Sequence, residues 1–104
     1  MSEVLSMAVM EPFDGKEQEF ERVLTEFYAM LRRKNYSRDE LLRSSTNTPH
    51  YVNIRHWVSE EARAQAHEDP DVHRYWAQIG LLCQMRAVYE TLEAVGQSAA
   101  AKGD

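Results

Sequence analysis

Residues 51–76 decide the fold, and they read YVNIRHWVSEEARAQAHEDPDVHRYW. The first eight of these residues are rich in β-branched and aromatic side chains, which predicts a strand over Tyr51–Val58. Ser59 then offers an N-cap, and two glutamates follow where the helix dipole favours negative charge. Pro70 interrupts this helix but, with Asp69 as its cap, can begin a second helical segment.

Upstream of this stretch, the sequence predicts a strand and a long helix. Val4–Met10 is a short apolar run, and a break follows it. Asp14 is predicted to cap the helix, with Glu17 completing a capping-box-like pair. Apolar residues then recur at helical spacing as far as Lys34 or Asn35, where the helix is expected to end. They are Phe20, Val23, Leu24, Phe27, Met30 and Leu31.

Two more strands complete the expected set of elements. Leu41–Ser45 is the weaker candidate, and the turn-forming residues 46–49 join it to the strand at Tyr51 as an antiparallel hairpin. Gln84–Leu92 is expected to be the last strand. Residues 96–104 are small or polar and are predicted to form a flexible tail.

The order strand, helix, strand, strand, helix, strand is that of an α+β, ferredoxin-like β-α-β-β-α-β fold with a four-stranded antiparallel sheet. The chain has 104 residues, which suffices for one domain, predicted over residues 1–95.

Composition excludes several classes of partner. The formal charge of −5 argues against nucleic acid, whose phosphates would call for a basic surface. No apolar run is long enough to span a membrane, and the N-terminus lacks the features of a signal peptide. Cys83 is the only cysteine, so no internal disulfide can form, and a reducing, cytoplasmic location is expected.

The strands alternate poorly between apolar and polar residues, and this predicts a homodimer. Two helices can cover only one face of a four-stranded sheet. The first strand carries large apolar residues on both faces, as does the third. A second copy packed sheet against sheet would cover the open face with two-fold symmetry.

Residues 51–76 resemble the third strand and second helix of the antibiotic biosynthesis monooxygenase family. In that family a strand ends in an aromatic residue, and a Ser-initiated helix then runs through an Ala-His pair to a short polar break. The matching residues here are Trp57, Ser59, Glu61, Ala62, Ala66 and His67. The resemblance implies a dimeric α/β barrel with a pocket in each subunit. It also implies a cofactor-independent oxygenase that acts on a small aromatic compound of the phenolic or quinone type.

Three residues are the candidate catalytic groups. Asn53 and Trp57 lie four apart on a strand and therefore share a face; in well-understood members of the family an Asn and a Trp with this spacing line the pocket. His67 is the titratable candidate for a general base. The alternatives are a core Trp beside a satisfied Asn, and a histidine that stabilises a helix C-terminus.

Four further residues are candidates for substrate binding. Arg55 shares the face of Asn53 and Trp57, where it would either hold an anionic substrate or pair with an acid of the neighbouring strand. Tyr28, Tyr75 and Trp76 could reach the pocket from the helices, although aromatic residues at helical spacing often belong to a core.

No metal or other cofactor is expected. His50 and His56 would lie about 20 Å apart along one strand, and His67 and His73 do not have the spacing of a helical metal pair. Two alternative functions remain open: a non-enzymatic dimer that binds a small ligand, and a haem-degrading relative. The haem-degrading members of the fold use an axial histidine late in the second helix, and residues 77–83 contain none.

Overall fold

The computed structural model describes residues 4–44 and 49–96. Within these residues, three helices and four strands follow one another. They are β1 (Val4–Pro12), α1 (Glu17–Arg33), β2 (Ser37–Arg43), β3 (Tyr51–Trp57), α2 (Glu60–His67), α3 (Pro70–Gly80) and β4 (Cys83–Leu92). The predicted turn residues 46–48 and nearly all of the predicted tail lie outside the described residues.

The sheet confirms the predicted ferredoxin-like fold. Its strand order is β2-β3-β1-β4, and every pair is antiparallel. The long helix α1 has the predicted apolar stripe, all of which is buried, and its C-cap is Lys34. Because the buried side chains of α1 and α3 cluster with Met10, Tyr51 and Trp57 of the sheet, the core lies between the helices and one sheet face.

The break between α2 and α3 forms as the sequence predicts. The Ser59 Oγ accepts a hydrogen bond of 3.0 Å from the Ala62 amide at the start of α2. Asp69 caps α3 in the same way, with its Oδ1 2.8 Å from the Asp71 amide, and Pro70 occupies the first turn, where a missing N–H costs nothing.

The predicted start of α1 is wrong. Asp14 does not cap the helix: the N-cap is Lys16, which makes no side-chain capping bond. Asp14 lies instead in a turn that passes through Gly15 at a φ of +78°, a conformation that glycine adopts without strain. The helix therefore begins two residues later than a cap at Asp14 would allow.

The second strand begins earlier than predicted, at Ser37 instead of Leu41. It pairs with β3 from Ser37 opposite Trp57 to Arg43 opposite Tyr51. Its first residues did not suggest a strand, because polar side chains, Ser37 and Asp39, occupy positions that face the helices. These side chains can be buried because their polar atoms form hydrogen bonds in the fold.

The sheet face that points away from the helices is largely apolar. We call it the outer face; its apolar residues include Leu5, Met7, Val9, Leu42, Val52, Ile54 and Tyr89. Leu42 and Tyr89 are about half exposed. Within the described residues, no helix is long and apolar enough to cross a membrane.

A polar cluster ties the end of α1 to the break between α2 and α3. Lys34 Nζ lies 2.8 Å from Asp69 Oδ2 and 2.7 Å from Asp71 Oδ2, and the Tyr36 hydroxyl donates to Asp69 Oδ2 at 2.7 Å. The hydrogen bonds from Lys34 and Tyr36 lower the pKa of Asp69 from 3.8 to about 2. The folded state therefore favours the ionised carboxylate.

We predict that Asp69→Asn lowers Tm at pH 7 by several degrees, because the amide cannot attract Lys34 as the carboxylate does. Since the folded pKa is depressed, this stabilisation is present above pH 3.8 and is lost as the pH falls towards about 2. The gap in Tm between the two proteins should thus close over that interval. Glu68→Gln, at an exposed neighbouring acid, is the control. A gap that stays constant from pH 7 to pH 2 would contradict this account.

Candidate functional site

A cavity of about 420 Å³ lies between the inner face of the sheet and the helices. Apolar and aromatic side chains make up most of its wall, among them Ala8, Leu24, Phe27, Trp57, Trp76, Met85 and Val88. The polar groups that reach it are those of Ser6, Tyr28, Asn53, Arg55, His67 and Glu90. Met85 and Val88 are about half exposed, so the cavity opens beside β4.

The alternation of β3 supplies the floor of the cavity. Tyr51, Asn53, Arg55 and Trp57 are all buried, whereas the residues between them are less so. Successive side chains of a strand point to opposite faces, so this pattern turns the four residues towards the helices. Asn53, Arg55 and Trp57 consequently meet in one cavity.

Six of the seven candidate residues from the sequence line this cavity: Tyr28, Asn53, Arg55, Trp57, His67 and Trp76. Tyr75 does not. Its ring stacks on Phe27 with 5.2 Å between centroids and borders a separate groove between α1 and α3. Tyr75 and Trp76 point about 100° apart around α3, and only Trp76 faces the cavity.

Asn53 is fixed in orientation by two acceptors. Its Nδ2 donates to Asp39 Oδ2 at 3.0 Å and to the Glu40 carbonyl at 3.2 Å. Both protons of the amide nitrogen are thereby used. Asn53 has only its carbonyl oxygen left for a ligand, so it can accept a hydrogen bond from a hydroxyl group.

Arg55 is a buried cation with its counter-ion behind it. Its Nε lies 2.6 Å from Asp39 Oδ2, and the Asp39 side chain is fully buried. The guanidinium carbon lies 5.2 Å from the ring centre of Phe27, 5.9 Å from that of Tyr28 and 5.3 Å from that of Trp57. Within the described residues, the terminal nitrogens of Arg55 have no hydrogen-bond acceptor, which leaves them available to an oxygen atom in the cavity.

Trp57 offers a ring face rather than a donor. Its Nε1 already donates to Ser6 Oγ at 2.7 Å, and that hydroxyl donates to the Glu90 carbonyl at 2.6 Å. The chain of two bonds joins β3, β1 and β4 and holds the indole in one orientation. A flat ligand can therefore lie against the indole but has no free N–H to bind.

His67 lies at the end of α2 among aromatic rings. Its ring centre is 6.3 Å from that of Trp57 and 5.4 Å from that of Trp76. His73 also stacks on Trp76, with 5.5 Å between ring centres, and its Nε2 lies 2.5 Å from the His67 carbonyl. Since His73 is not a lining residue, His67 is the histidine of the cavity.

Tyr28 remains protonated across the physiological range. Burial raises the pKa of its hydroxyl, and nearby Arg55 opposes that shift only in part. A neutral phenol can donate one hydrogen bond to an oxygen in the cavity.

Sequence reasoning missed Ser6, Asp39 and Glu90. Asp39 was hidden because the second strand was predicted to begin only at Leu41. The alternation of Ser37, Asp39 and Leu41 on one face was the available signal, and the suggestion that Arg55 pairs with an acid of the neighbouring strand anticipated the contact. No group of three or more potential metal ligands occurs in residues 4–44 and 49–96.

The arrangement combines an aromatic wall with polar groups of opposite kind. Asn53 presents an acceptor, whereas Arg55 and Tyr28 present donors, one of them charged. Such a site can hold a flat ligand, accept a bond from its hydroxyl and stabilise negative charge on its oxygen.

Solved structures share this fold at low sequence identity. A cofactor-independent oxygenase from Streptomyces nogalater is 22% identical, with a TM-score of 0.75 over 93% of this chain and 100% of that chain. A Mycobacterium tuberculosis protein is 21% identical, with a TM-score of 0.72 over 93% of this chain and 98% of that chain. A putative antibiotic biosynthesis monooxygenase from Deinococcus radiodurans is 15% identical, with a TM-score of 0.70 over 92% of this chain and 99% of that chain.

No curated protein matches the sequence. A family model described as antibiotic biosynthesis monooxygenase matches residues 4–78, which include β1 to α2 and most of α3. The match confirms the resemblance seen in residues 51–76 and extends it over most of the chain. The chain belongs to the antibiotic biosynthesis monooxygenase family.

Proposed function

We propose that this protein is a cofactor-independent monooxygenase that oxidises a small aromatic compound of the phenolic or quinone type. The observation that carries the proposal is the convergence of Asn53 and Arg55 on one buried carboxylate, beneath an aromatic-walled cavity. An acceptor and a charged donor then stand side by side, as the removal of a hydroxyl proton requires. The similarity to a cofactor-independent oxygenase supports the same reaction class.

Proton removal is the first step of the proposed reaction. The substrate lies against Trp57, and the Asn53 carbonyl orients its hydroxyl by accepting a hydrogen bond before the transfer. The hydroxyl then turns its proton to His67, which takes it up, since histidine is the side chain best suited to accept one near neutral pH. Arg55 and Tyr28 then stabilise the anion, and the largely apolar surroundings strengthen this electrostatic attraction.

Oxygen is the second substrate, and the bound anion reduces it. One electron passes from the anion to O₂, giving a substrate radical and superoxide. Their recombination forms a carbon–oxygen bond, and the proton held by His67 completes a hydroperoxide. Loss of water then removes the hydrogen of the oxygenated carbon, breaks the O–O bond and leaves a carbonyl group, so one atom of O₂ enters the product and the other leaves as water.

We predict that the purified protein consumes oxygen with dihydroxyanthrone or naphthohydroquinone when no cofactor is added. Trp57→Phe and Asn53→Ala should each lower the rate about 10- to 100-fold, because each misplaces the reacting oxygen without removing the cavity. Tyr75→Phe is the matched control, because Tyr75 lies outside the cavity. Its rate should equal that of the wild type.

The rate of oxygen consumption is measured with an oxygen electrode, and the uncatalysed rate is subtracted. Suppose that neither dihydroxyanthrone nor naphthohydroquinone is oxidised faster than in buffer, but a quinone still binds and quenches Trp57 fluorescence. The cavity then belongs to a non-enzymatic binding protein, and the monooxygenase proposal fails.

His67 yields a separate prediction. His67→Gln should lower kcat about 100-fold, because the amide cannot accept the proton. His73→Gln, at the other histidine that contacts Trp76, should retain the wild-type kcat. A His67→Gln protein with the wild-type kcat would exclude His67 as the base, and Glu90 would then be the next candidate.

We further propose that the protein is a homodimer in the cytoplasm. The outer face exposes apolar residues on all four strands, and a second copy packed on it would remove them from water. Cys83 is buried, and burial raises the pKa of its thiol to about 11, which suits a cysteine that remains reduced.

Sedimentation velocity tests the dimer. We predict a dimer for the wild type and a monomer for Ile54→Lys, because a charge at the centre of the outer face cannot be buried without a partner. Val58→Lys alters an exposed apolar residue just beyond β3 and should remain dimeric. A wild-type protein that sediments as a monomer at micromolar concentration would contradict the proposal.

A further inference from the structure

Asp39 is the most deeply buried charged group that contacts the site. Its side chain is fully buried on β2, directly opposite Arg55 of β3 in the sheet register. Oδ1 accepts a bond of 2.8 Å from the Ser37 hydroxyl. Oδ2 accepts one of 3.0 Å from Asn53 Nδ2 and one of 2.6 Å from Arg55 Nε. Asp39 does not itself line the cavity.

We propose that Asp39 is the positioning residue of this site: it fixes which polar atoms of Asn53 and Arg55 face the substrate. The inference rests on the proposed function for its kinetic consequences. Its structural content, the orientation of two side chains, can be measured whether or not the protein is an oxygenase.

The orientation of Asn53 depends on the charge of Asp39. An asparagine amide can present either its oxygen or its nitrogen, because rotation by 180° exchanges two groups of nearly equal size. A carboxylate accepts hydrogen bonds and cannot donate them, as is also true of the Glu40 carbonyl. Only Nδ2 can therefore face these two atoms, and the Asn53 oxygen is left for the substrate.

Asp39 restrains Arg55 in a complementary way. The bond to Nε holds the base of the guanidinium, and within the described residues neither terminal nitrogen donates a hydrogen bond to the carboxylate. The same carboxylate also offsets the cost of burying the cation among Phe27, Tyr28 and Trp57. One buried acid thus keeps an acceptor and a donor next to each other in the cavity.

The direct test is Asp39→Asn, which preserves shape and removes the charge. Its Nδ2 can donate to the Asn53 oxygen, so only the bond to the Glu40 carbonyl still favours the original orientation, and the Asn53 amide can rotate to present its own nitrogen to the cavity. With dihydroxyanthrone as the probe, kcat should fall about 100-fold while KM changes little, because the aromatic wall that binds the ring is intact. The control is Glu26→Gln, which removes one of two carboxylate partners of an exposed arginine, Arg22, on α1 and should leave both constants unchanged.

An NMR measurement reads the orientation without turnover. The side-chain amide signals of Asn53, assigned as those missing from Asn53→Ala, should move in the ¹H–¹⁵N spectrum of Asp39→Asn and stay in place in Glu26→Gln. Backbone signals of α1, α2 and α3 should hold their positions, which separates a change at Asn53 from general unfolding. Unmoved Asn53 signals would overturn the proposal, even if kcat fell.

Asp39→Asn leaves Arg55 buried without its counter-ion, and the variant could fail to fold. The paired change Asp39→Asn with Arg55→Gln removes both charges, and its Asn53 signals should move in the same way. A wild type that turns over no probe would refute the proposed function alone, because the NMR comparison still decides the role of Asp39. Equal kcat in wild type and Asp39→Asn, on a probe that the wild type consumes, would refute the positioning role.

Discussion

The contact between Arg55 and Asp39 is the constraint on which the site depends. Alternation along β3 turns Arg55 towards the helices, where an unpaired cation would be costly to bury. Asp39 on the adjacent strand resolves this with a bond of 2.6 Å and orients Asn53 at the same time. Asn53 and Arg55 thus make the floor of the cavity polar. Their atoms that point away from the cavity are hydrogen-bonded to Asp39. The aromatic rings around the guanidinium complete a site suited to a flat molecule with an oxygen.

Most of the fold could be predicted because its signals are local. The spacing of apolar residues in α1, the Ser59 cap and the proline after Asp69 each act within a few residues. Of the two larger errors, the first was local, because a turn at Gly15 displaced the start of α1. The second was non-local, because β2 begins with polar residues that are buried only where β3 supplies their partners.

The candidate site was predictable to a similar degree. Same-face spacing predicted that Asn53, Arg55 and Trp57 lie together, whereas helical spacing predicted both Tyr75 and Trp76, of which only Trp76 lines the cavity. The sequence could not predict which polar atoms are already hydrogen-bonded, because these bonds join residues of different strands. The Trp57 N–H is used by Ser6, 51 residues away, and the Asn53 nitrogen by Asp39. These contacts determine that the indole offers its face and the amide its oxygen.

A crystal structure with a redox-stable anthraquinone tests the central claim most directly, because it reports which atoms of the cavity meet a flat aromatic ligand. The account predicts the ring system against the Trp57 face, one ligand oxygen within about 3 Å of a terminal nitrogen of Arg55, and the Asp39 contacts unchanged. A quinone bound on the outer face, or one whose oxygen displaces Ser6 from the Trp57 N–H, would contradict it.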